Sequence, residues 1–187
     1  MANDALVRDV LLLAYRAFDG VIKGKTMLQK RVYFLSVILP AELGYDAHYY
    51  GPYSEEVAFA NTELKSLGYL AESASGFGVD QRGFEMARYD YRLTDAGALL
   101  AERKADRMPK LWKDIESAAN VVKSAGNLDY MELSIAAKAY YVLTKLSGKA
   151  TISEISSMLP KFGWSVTEEQ LERATRFLEK ADLVTKG

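Results

Sequence analysis

The chain has 187 residues, 49% apolar and 26% charged, which suits one large domain or two small ones able to bury their own cores. Lysine and arginine total 24 against 25 aspartates and glutamates, so the whole chain has no excess charge with which to attract a polyanion. Zero cysteines and a single histidine exclude disulfides, thiol catalysis, thiolate-bound zinc and a histidine pair on a metal, and no cofactor is expected.

The N-terminus, MANDALVRD, is too polar for a signal peptide, and the apolar run Val10 to Ala14 is too short for a membrane span. A cytoplasmic location without membrane contact is the expectation. Leu6, Val10, Ala14 and Ala17, with Leu13 and Phe18, form a helical apolar stripe that ends at Asp19-Gly20. The Gly-Lys-Thr at 24–26 does not complete a phosphate-binding loop, because Asp19 occupies the position of the first glycine and a helix precedes it. Thr26 to Gln29 instead fits a capping box opening a second helix, MLQKRVYFLSVIL, which stops before Pro40.

YDAHYYGPY, from Tyr45 to Tyr53, reads as a short strand or extended loop closed by a Gly-Pro turn. Ser54 then caps a third helix with Glu55 and Glu56 in its first turn, and Gly68 supplies its C-cap. Next come two strands, YLAES and ARYDYRL, around the glycine-rich segment between them. Thr94 caps a further helix and Pro109 opens another. In the C-terminal third, SIAAKAYYVLTKLSG is a helix, TISEISSML is a short capped helix, and Thr167 to Gln170 is a capping box opening the last helix. Thr167-Glu168-Glu169 echoes Ser54-Glu55-Glu56, as FLEKADLV echoes LKSLGYL. Trp112 and Trp164 read as core anchors.

The order helix, helix, helix, hairpin resembles a winged-helix domain. More narrowly, KTMLQKRVYFL followed by YYGPYSEEV resembles the YwgA-like and Panacea (SocA-type antitoxin) families, with Arg31 standing where an apolar residue is usual. The resemblance implies a helix-turn-helix core in a regulatory or toxin-neutralising module without catalytic residues. The fold class expected is therefore mainly α with a small β wing, a winged helix-turn-helix over residues 1–104. A helical C-terminal unit over 105–187 follows, with a second, wingless helix-turn-helix as one reading of it.

Charge weighs against a groove-reading third helix, since residues 54–68 hold three acids against one lysine, and 167–182 hold five acids against three bases. Positive charge gathers instead at Lys23, Lys25, Lys30 and Arg31, which with Arg82 are the candidate phosphate contacts, and in a second cluster from Arg103 to Lys113. Tyr49, Tyr50, Tyr53, Glu55 and Glu56 are the candidate partner surface. The function expected is a non-enzymatic regulatory module acting through protein contacts. A DNA-binding transcriptional regulator is the alternative, an enzyme using His48 is the remote one, and a homodimer stays open.

Overall fold

A computed structural model of the chain describes residues 4–39, 41–79, 85–126, 128–146 and 148–185. Among them are eight α-helices and two small antiparallel sheets. Helix α1, Asp4–Ala17, is the centre of the core: Val7, Val10, Leu11, Leu12, Leu13, Ala14 and Tyr15 are buried almost all round its axis. A helix apolar on every side must be covered on every side. Helices α3, Glu55–Ser66, α4, Asp95–Arg107, and α5, Pro109–Ala125, pack around it. Leu6 of the predicted stripe is the exception and faces solvent.

Strand β1, Val21–Lys23, follows α1 through a tight turn, and the sequence reading missed it. Three residues carry no usable alternation, and the strand exists because β5 offers it an edge. It pairs antiparallel with β5, Glu85–Leu93, placing Ile22 opposite Tyr91, and β5 pairs on its other side with β4, Leu70–Val79. The sheet order is β1-β5-β4. The hairpin strands run well into the segment read as a glycine loop, with a bulge between Gly76 and Gly78 absorbing the register shift.

Helix α2, Lys25–Ile38, departs from its predicted start. Gly24 is its N-cap and no side chain caps it, so the Thr26–Gln29 box does not form, Gln29 being bonded to Ser54 instead. The other caps do form, at Ser54 for α3, Thr94 for α4, Thr151 for α7, Ile152–Met158, and Thr167 for α8, Glu168–Lys180. Helix α6, Tyr130–Lys145, starts earlier than predicted, at an Asp129–Glu132 capping box.

The expected boundary between residues 104 and 105 falls inside α4, and packing continues across it. Helices α5 and α6 both lie against α2, and the rings of Phe34 on α2 and Phe177 on α8 meet edge to face at 5.2 Å. Trp164 is fully buried, whereas Trp112 is half-buried with Arg16 stacked over its ring at 5.0 Å. Among the described residues no helix is long and apolar enough to cross a membrane.

Candidate functional site

The motif residues on α2 and in the Gly-Pro turn meet each other rather than solvent. Gln29 accepts from the Ser54 backbone N–H and donates to the Ser54 carbonyl, both at 3.0 Å. Its side-chain amide thus imitates one rung of a β-ladder, which is why it is not used to cap its own helix. Ser54 is itself fully buried: its hydroxyl donates to the Leu43 carbonyl at 2.5 Å and accepts from the Val57 N–H at 3.0 Å, capping α3. Strands β2, Tyr45–Asp46, and β3, Tyr53–Ser54, pair here, and the Tyr45 hydroxyl donates to the Gln29 carbonyl.

Lys30, expected to meet phosphate, is instead 1% exposed, with Nζ donating to the Pro52 carbonyl at 2.5 Å. Burial, reinforced by the Lys138 charge, pushes its ammonium down to about 7. The backbone at Gly51, with φ of 95°, brings the turn against both lysines. A Cβ there would lie 3.0 Å from Lys138 Cγ and 3.4 Å from Lys30 Cε, so only glycine fits without displacement. Lys138 in turn lies 5.7 Å from the Trp164 ring centre.

The same turn is held from the C-terminal half of the chain. Trp164 Nε1 donates to the His48 carbonyl at 2.7 Å, and the Ser134 hydroxyl donates to the Tyr50 carbonyl at 2.5 Å. The 47–52 segment is thus clamped by α2 on one side and by α6 and Trp164 on the other. Its outward side chains are Tyr49 and Tyr50, 72% and 51% exposed and packed edge to face. The His48 ring lies over Tyr53 at 4.9 Å.

The remaining candidates separate into two places. Lys23 ends β1 and Lys25 begins α2, both exposed, with Lys25 Nζ 4.4 Å from the Tyr89 ring centre. Arg31 lies half-buried over Phe18 at 4.6 Å, a cation–π contact that explains a charge at a position where an apolar residue is usual, although burial works against its ionisation. Arg82 lies outside the described residues. The basic cluster read from the sequence is therefore split, with Lys30 removed from it.

Glu55 and Glu56 open α3, whose outward face is Glu55, Phe59, Thr62 and Ser66, continued by its C-cap Leu67. Phe59 is 62% exposed and Leu67 60%. A groove of 300 Å³ between α1 and α3 is lined by Val7, Ala60, Phe59 and the acids Glu55, Glu56 and Glu63. Lys65 is drawn off this face to Glu72 at 3.0 Å, and its hydrogen bond holds the Glu72 carboxyl below the usual range. Charge counting found the acids, but the exposed Phe59 was missed, since an apolar residue in a helix is read as core unless its neighbours are known.

No protein-family model matches the chain. Over 100 residues it is 34% identical to the uncharacterized protein YwgA of Bacillus subtilis (strain 168), covering 53% of this chain and 57% of that protein. The chain thus spans little more than half the length of this relative, a similarity that agrees with the YwgA-like resemblance of its motifs.

Proposed function

We propose that the chain is a non-enzymatic regulatory module, built on a winged helix-turn-helix, that acts through protein contacts of antitoxin or adaptor type. The order α1-β1-α2-α3-β4-β5 with the sheet β1-β5-β4 supports the winged-helix reading, and α6, α7 and α8 support a second helical unit docked on it. The observation that carries the functional reading is the face of α3. In a DNA-binding winged helix this element enters the major groove. Here the helix and its C-cap present Phe59 and Leu67, with Glu55 and Glu56 in the first turn, Lys65 paired with Glu72 and Glu63 paired with Arg8, which suits a partner carrying basic and apolar side chains.

The alternative, binding to duplex DNA, rests on the exposed Lys23 and Lys25. A photo-cross-linking side chain placed at position 59 in the native host decides between them. We expect it to trap protein and not nucleic acid, and Phe59→Ser with a cross-linker at 67 to lower the yield of the same species about tenfold, the loss of one apolar anchor. Duplex DNA trapped at 59, or sequence-selective and salt-sensitive duplex binding by the purified chain, would overturn the reading.

A further inference from the structure

The cleft where β1, the start of α2, β5 and the start of α6 meet is a second place built for a ligand, remote in role from the face of α3. It encloses 630 Å³, within the range of small-molecule sites, and its walls come from both halves of the chain: Lys23, Lys25, Met27 and Tyr89 from one, Tyr130 from the other. We propose that it binds a small aromatic anion, a planar ring carrying one carboxylate or phosphate, up to the size of a nucleoside monophosphate.

The charges in and around the cleft favour an anion. Asp129 lines it, but its Oδ1 accepts from the N–H groups of Met131 and Glu132 and is committed to the start of α6. Arg88 makes a two-pronged pair with Asp90, at 2.7 and 2.8 Å. Lys23 makes no ion pair among the described residues, and Lys25 stands over Tyr89, while Glu72, whose carboxylate feels the Lys25 charge, is bonded to Lys65. Two cations therefore face a cleft whose one acid turns an oxygen to the backbone of α6. The walls set the other half of the ligand: Tyr89, Tyr130 and Met27 offer rings and a thioether, and Tyr130 keeps 51% of its surface exposed. A free phosphate would use the lysines and waste these walls, whereas a neutral ring would leave the lysines without a partner.

The test is a titration of the uniformly 15N-labelled full chain, followed by amide chemical shifts, with 2-naphthoate, adenosine monophosphate and the neutral 2-naphthalenemethanol. We expect saturable shifts centred on residues 23–27, 87–89 and 129–130 with at least one anion, and binding of the neutral compound weaker by about tenfold or more. The two anions distinguish an aromatic acid from a nucleotide as the ligand class. Lys23→Gln with Lys25→Gln should remove the preference for the anion, and Tyr130→Ala should weaken anion and neutral compound alike, both variants keeping the remaining amide spectrum. The proposal fails if neither anion gives saturable shifts in the cleft, if the shifts scatter over the surface, or if the neutral compound binds as well as its carboxylate.

Discussion

Gln29→Met is expected to lower the unfolding free energy by about 3 to 5 kcal/mol, while Thr26→Ala changes it by less than about 0.5 kcal/mol. Methionine has the unbranched length of glutamine and slightly more volume, so the buried site stays filled and no cavity contributes. What is lost is polar: the Ser54 N–H and C=O, both in a fully buried residue, each lose the partner that Gln29 supplied. A buried backbone group left unpaired costs about 1 to 3 kcal/mol, and two are orphaned here at once. Thr26 makes no capping bond, so its truncation removes only a half-buried methyl and hydroxyl at the start of α2. Urea denaturation of the two variants reads both numbers from the midpoint at constant slope. Equal losses from Thr26→Ala and Gln29→Met would mean that the capping box forms after all and that the bridge to Ser54 carries little.

The same pair of residues shows where the sequence was legible and where it was not. Thr26 to Gln29 and Thr167 to Gln170 are the same four-residue pattern, yet only the second forms a box, with Gln170 Oε1 accepting from the Thr167 N–H at 2.9 Å. Capping is decided within one turn of chain, which made the starts at Ser54, Thr94, Thr151 and Thr167 readable. The fate of Gln29 is decided by a backbone 25 residues away, and local pattern contains nothing about that competitor. Lys30 fails for the same reason: counted by sequence it belongs to a basic cluster, but folding places it under the Gly-Pro turn, and charge counting has no access to depth. The helical order and the hairpin were readable from periodicity and glycines. Strand β1 was not, being three residues long and held by pairing alone. Of the surface proposed for a partner, the acids of α3 and the exposed Tyr49 and Tyr50 could be named in advance. Phe59 could not, because exposure of an apolar side chain is a property of the packed molecule.

Lys30→Met is expected to remove the Lys30 share of a rise in stability with pH between pH 7 and 9.5, a rise to which Lys138, lowered by burial too, contributes in both proteins. With Nζ pushed down to about 7 by burial, the folded chain sheds this proton near neutrality, while the unfolded chain holds it up to the ordinary lysine value of 10.5. Between those values the unfolded state binds more protons, so unfolding free energy increases with pH. The cost of burying the ammonium is complete below about pH 7 and fades as pH rises toward the unfolded value. Across the window from 7 to 9.5 the linkage relation gives a gain of about 3 kcal/mol in the unaltered chain relative to the variant. Taking the difference matters, because burial raises the hydroxyls of Tyr15, Tyr33 and Tyr45, which must lose stability at still higher pH in both proteins. The variant also removes the donor to the Pro52 carbonyl, a pH-independent loss of about 1 to 3 kcal/mol that shifts the whole difference without tilting it. Urea midpoints at four pH values therefore separate the two terms, the offset reporting the orphaned carbonyl and the slope reporting the buried charge. A difference that stays flat with pH would show that Lys30 keeps its ordinary affinity for the proton, and hence that the turn from His48 to Pro52 opens to water around it.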